Sequence, residues 1–106
     1  MINGEFTEKD WKLFRNKIVG WQEAYMDKLN KEYIDLLSEN CTPSDKFWRL
    51  EKRIREDMKK TGVQVRMSRS ALITNIVSLI NEGAISFEDL DEFSDGLKET
   101  VRIFIR

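Results

Sequence analysis

The sequence predicts an all-α fold: one compact four-helix domain over residues 1–106, with a long N-terminal helix. Apolar side chains recur at steps of three and four through most of the chain, which lines them up on helix faces. One proline and five glycines are too few for a loop-rich β fold. The interruptions between periodic stretches fall on residues that start and stop helices.

The first helix opens at Thr7, whose hydroxyl can cap the next backbone N–H groups, and Glu8 and Asp10 suit the positive helix end. Trp11, Phe14, Ile18, Trp21, Tyr25, Leu29, Tyr33 and Leu36 then form one stripe, and the helix is expected to run to about Glu39. At 1.5 Å per residue that is roughly 48 Å. Gly20 is a mild interior cost of about 1 kcal/mol against alanine. Thr42 followed by Pro43 starts the second helix, with Asp45 placed as in a capping box. Phe47, Leu50, Ile54 and Met58 are its expected buried stripe, and Gly62 its left-handed cap after an end near Lys60.

Val63 to Met67 alternates and reads as an extended connection or short strand. Ser68 caps a third helix that is apolar around more than half its circumference, through Leu72, Ile73, Ile76, Val77, Leu79 and Ile80. Such a helix belongs at the centre of a core. It stops at Gly83. Ser86 and Asp89 mark a fourth helix with the stripe Leu90, Phe93, Leu97, Val101 and Phe104. An alternative ends it near Lys98 and pairs 101–105 with 63–67 as a minor two-stranded ribbon.

The chain has no histidine and one cysteine, Cys41. That removes the commonest general base and metal ligand and every Ser-His or Cys-His dyad. No phosphate-cradling glycine loop or dinucleotide fingerprint is present. The expectation is a non-enzymatic protein with no catalytic residue, no metal, no cofactor and no small-molecule substrate. The stretch from Asn81 to Asp89 echoes half of a calcium loop, but Ile80 would fall on a ligand position and cannot bind a cation. A lone cysteine fits a reducing cytoplasm. No apolar run is long enough to span a membrane, and Met1, Ile2, Asn3, Gly4 and Glu5 lack the start of a secretion signal.

Net charge is −1 but uneven. Residues 1–44 carry six basic and eight acidic side chains (−2), residues 45–70 nine and four (+5), and residues 71–106 three and seven (−4). The middle segment is the candidate binding element. Arg49, Lys52 and Arg53 lie on the second helix, and Arg66, Ser68, Arg69 and Ser70 follow it. Clustered Lys and Arg are the footprint of phosphate binding, and a helix start with two hydroxyls favours an anion. The plain alternative is a solvated helix, since Glu51–Arg55, Lys52–Glu56, Arg53–Asp57 and Glu56–Lys60 are all spaced for pairing. The acidic face of Glu88, Asp91, Glu92, Asp95 and Glu99 reads first as a wet helix surface.

Trp48 stands beside the second stripe, next to Arg49 and Lys52, either at the core edge or as a partner-contact residue. The long first helix outreaches its partners. A homodimer sharing the aromatic stripe within 11–36 is therefore a further expectation.

Taken together, Trp21-Gln22-Glu23-Ala24-Tyr25-Met26, Lys46 through Ile54, Ser68-Arg69-Ser70 and Asp89 through Ser94 resemble short, functionally uncharacterised helical proteins of Gram-positive bacteria and their mobile elements. That resemblance implies a bacterial cytoplasmic setting and a regulatory or inhibitory role, and no site. Two functions are carried forward. One is a nucleic-acid-associated regulator that contacts backbone phosphates, or an acidic protein surface, through the basic segment. The other is a protein-interaction module or inhibitor that uses aromatic and acidic helix faces.

Overall fold

The computed structural model describes residues 6–106 and is all-α. The reading of residues 1–5 as lacking a secretion signal lies outside the described residues. Four helices follow in order: α1 (Glu8–Leu37), α2 (Pro43–Asp57), α3 (Leu72–Asn81) and α4 (Asp95–Phe104). Short 3-10 turns, Arg69–Ala71 and Phe87–Leu90, lead into the last two. No strand forms among the described residues, so the ribbon alternative is corrected: 101–104 is helical and 65–68 is irregular.

The starts are built as the residues dictate. The Thr7 hydroxyl accepts the Asp10 N–H at 3.1 Å while the Asp10 carboxylate accepts the Thr7 N–H at 3.0 Å. Thr42 accepts from the Asp45 N–H at 3.3 Å, with Pro43 at the first helical position. α3 ends at Gly83, the one described residue with positive φ, at +80°. The Ala84 N–H reaches the Leu79 carbonyl and the Gly83 N–H that of Ile80, a Schellman closure.

One core gathers the N-terminal half of α1 with α3 and α4. Trp11, Phe14 and Ile18 pack with Leu72, Ile73, Ile76, Leu79, Leu90, Phe93, Leu97 and Val101. α3 is its centre, as its all-round apolar surface requires. Asp10 is buried here and serves two helix starts. Its carboxylate accepts the Ser94 N–H at 2.9 Å and the Ser94 hydroxyl at 2.6 Å. Ser94 in turn caps α4 by accepting the Leu97 N–H. This corrects the single helix expected from Ser86. A helix running through Ser94 would turn its N–H inward along the ladder and away from Asp10. Gly96 consequently falls in the first turn of α4 rather than in the middle of a helix. Phe104, placed on the core stripe by its spacing, is exposed.

The distal half of α1 leaves this core and pairs with α2 as an antiparallel arm. The molecule is accordingly 51 Å long and only 23 × 22 Å across. The turn after α2 ties the arm back. The Thr61 and Gly62 N–H groups donate to the Glu82 carboxylate at 3.0 and 3.1 Å, and the Gln22 amide donates to the Thr61 carbonyl. α2 ends at Asp57 rather than near Lys60, and Gly62 is no left-handed cap. Its role is steric, since a Cβ there would lie 2.3 Å from the Tyr25 ring.

Two consequences are measurable. Gly62→Ala should lower stability by about 1–3 kcal/mol in chemical denaturation, as overpacking does. Gly20→Ala, where nothing lies within 4 Å of the new methyl, should raise stability by up to about 1 kcal/mol. Burial pushes the Asp10 carboxyl up, but the hydrogen bonds from Ser94 and Thr7 outweigh it and hold the group below its ordinary value of 3.8. The stability it contributes is present above that pH and lost as pH falls through the folded-state value. Asp10→Asn should therefore flatten the acid limb of the stability–pH curve below about pH 4.

Candidate functional site

The basic residues singled out by the sequence do not form one surface. Arg49, Lys52 and Arg53 lie on the arm, whereas Arg66, Ser68, Arg69 and Ser70 lie beside the core. Arg69 donates twice to Glu8, at 3.1 and 2.6 Å, and sits over the Trp11 ring. Arg53 donates to Glu32. Glu8 and Glu32 are 24 residues apart on one helix, roughly 36 Å at 1.5 Å per residue.

Three of the four arginines are not free either. Arg53 also reaches Asp57 at 3.2 Å and lies over the Tyr33 ring. Arg49 pairs with Glu39 at 2.9 Å and touches the Cys41 sulfur. Only Lys52 and Arg66 of the candidate cations are exposed without an ion pair among the described residues. Ser68 is a cap that accepts the Ala71 N–H, and its hydroxyl meets that of Ser70 at 3.1 Å.

These pairs determine how α2 sits. Arg49, Arg53 and Asp57 are spaced by four and share one face, and that charged face is turned onto α1. The Tyr33 hydroxyl donates to the buried Asp57 carboxylate at 2.6 Å. Asp57 is the one residue of α2 that becomes buried. The apolar stripe is left about a quarter-turn away, facing water. This overturns the expectation that Phe47, Leu50, Ile54 and Met58 are core. Phe47 is 62% exposed, Ile54 38% and Met58 48%, and Leu50 is half-buried. Trp48 is also 62% exposed and stands edge-on to Phe47 with ring centroids 5.0 Å apart.

Two grooves meet on this side. One follows α2 along Phe47, Leu50, Glu51, Ile54, Arg55 and Met58. The other lies between the helices, with Met26, Tyr33 and Val63 on its walls, and shares Ile54 and Met58 with the first. The two make a continuous apolar face along the arm. The sequence held one signal for it. The distal half of α1 and the turn after it are rich in acids (Glu32, Asp35, Glu39) that could claim the arginines of α2 and so choose which face turned inward.

The aromatic stripe of α1 gives no second open surface, because Trp11, Phe14, Ile18, Tyr25 and Leu29 are buried within the chain. No group of three or more Cys, Asp or Glu side chains is arranged to hold a metal among the described residues. No described helix is long and apolar enough to cross a membrane.

The inward face carries a titration that reports on the arm. Burial, together with the hydrogen bond to Asp57, pushes the Tyr33 hydroxyl up to about 12. A raised value contributes stability that is full below the ordinary value of 10 and lost as pH rises through the folded value. Burial raises the Tyr25 hydroxyl as well, so an ultraviolet titration should show both tyrosines ionising above pH 10, and Tyr33→Phe should remove the transition near 12 and its share of the alkaline loss of stability. No family model matches this chain, and comparison with curated proteins and solved structures returns no similar protein.

Proposed function

We propose that this chain is a non-enzymatic protein-docking module that uses the open face of the α1–α2 arm. The observation that carries the reading is how α2 is turned: Arg53 and Asp57 face α1, while the apolar stripe faces out. Phe47 and Trp48 alone leave roughly 250 Å² in water, taking about 200 Å² for each full side chain. At about 25 cal/mol per Å² that is about 6 kcal/mol of burial available to a partner. With Ile54 and Met58 the patch is of the size that on monomeric proteins commonly marks a functional contact. Exposed aromatic and arginine residues around an apolar centre are also the composition of binding hot spots.

A nucleic-acid role has less support. It asks for several free cations on one surface, whereas Arg49, Arg53 and Arg69 already donate to carboxylates. A reducing compartment is the setting we propose, since Cys41 is unpaired.

The test is a photo-reactive amino acid placed at Ile54, with the exposed Thr74 of α3 as control. Irradiation of cells making the chain should yield a heavier covalent adduct from position 54 and none from 74. Adding Phe47→Ser and Met58→Ser should abolish the adduct while helix content by circular dichroism is unchanged. A chain that stays bare at position 54 would remove the reading.

A further inference from the structure

We infer that the chain carries a second ligand surface, apart from the arm, at which Lys12, Arg15 and Arg66 with Asn16 contact the phosphodiester backbone of a nucleic-acid duplex. The free cations missing from α2 stand here instead. Lys12 and Arg15 are exposed and have no ion pair among the described residues. Glu8 is the one carboxylate at helix-pair spacing from either, four residues before Lys12. Arg69 already takes it with two hydrogen bonds. Lys12 and Arg15 are themselves three apart, where like charges repel and an external anion relieves the strain. Asn16 joins them in the wall of a shallow groove.

The connection after α2 brings Arg66 to the same side. It leaves α1 level with Gln22, which donates to the Thr61 carbonyl, and returns level with Glu8, which Arg69 holds. Residues 22 and 8 are roughly 21 Å apart along the helix. Arg66 falls between those two anchors and so passes beside the stretch that carries Arg15. Val65 packs on the core, and the buried Asn75 donates to the Arg66 carbonyl at 2.9 Å. The backbone is thus pinned while the Arg66 side chain stays in water without an ion pair among the described residues.

The acids of the C-terminal third lie elsewhere. Glu92 pairs with Lys17 at 2.7 Å, and residues two apart on a helix do not share a face, so Arg15 looks away from it. The cations stand in an open row and do not converge on an enclosed cavity. A small anion would meet one at a time, whereas a polymer with a charge about every 3.4 Å of strand offers a phosphate to each. A lipid surface asks for a face of Trp, Phe or Leu beside the cations; the exposed apolar neighbours here are Val19 and Met67. Arg15 and Tyr33 are roughly 27 Å apart along α1, so this surface and the arm can be occupied together.

The test is fluorescence anisotropy of a labelled duplex titrated with the full chain. Binding at about 20 mM salt should weaken with a log–log slope of about −2.7, or about −0.9 for each of three phosphates. Lys12→Gln with Arg15→Gln should weaken it at least tenfold and bring the slope to about −0.9, with helix content unchanged. Arg66→Gln alone should make the slope shallower by about 0.9. Lys52→Gln, at an exposed cation of the arm, should change affinity less than about twofold, and duplexes of unrelated sequence should bind alike. No binding at about 20 mM salt with up to about 1 mM chain would overturn the proposal, as would a double variant that keeps the full slope. Binding to phosphatidylserine vesicles without binding to the duplex would overturn nucleic acid as the ligand.

Discussion

The length of α1 governs this molecule. Its 30 residues span about 45 Å, and no other helix exceeds 15 residues. No single partner can cover it, so it is shared. α3 and α4 close over Trp11, Phe14 and Ile18 by apolar packing. α2 takes the rest, and it does so with charge. A helix held by Arg49, Arg53 and Asp57 cannot also present Phe47 and Ile54 to the same neighbour, because those residues lie on different sides of the cylinder. The open face of the arm follows from that choice.

The two halves of α1 thus rest on different physics. Burial of Leu72, Ile76 and Leu97 is non-directional and tolerates no vacancy. The arm is held by directed contacts: Arg53 bridges Glu32 and Asp57, and Tyr33 donates to Asp57. Ion pairs of this kind fix register and orientation more than they stabilise. Here they fix which side of α2 meets α1. Glu82 and Gly62 join the two regions, one by accepting two backbone N–H groups and the other by letting the turn approach the Tyr25 ring.

Much of the fold was legible because it depends on short-range chemistry. Thr7 with Asp10, Thr42 with Pro43, and Gly83 each act on groups within a few residues of themselves, and each does what its type requires. The stripes of α1 and α3 were legible for the same reason. What periodicity cannot state is which way a stripe faces. Phe47, Leu50, Ile54 and Met58 do share a face, but its direction was decided by Glu32 on α1 and Glu39 just past its end. The break at Ser94 was hidden likewise, because its cause is Asp10, 84 residues away. The candidate basic residues were found one by one, while their separation along α1 and their carboxylate partners are properties of the assembled chain.

The same long reach from Asp10 to Ser94 orders events on the ribosome. α1 and α2 are complete once residue 57 has been made, and the arm can zip while translation continues. The inner half of α1 must wait for α3 and α4, several seconds later at about 5–20 residues per second. During that interval Trp11, Phe14 and Ile18 have no lid. Those three side chains, buried in the finished molecule, are the apolar surface that the unfinished chain leaves uncovered.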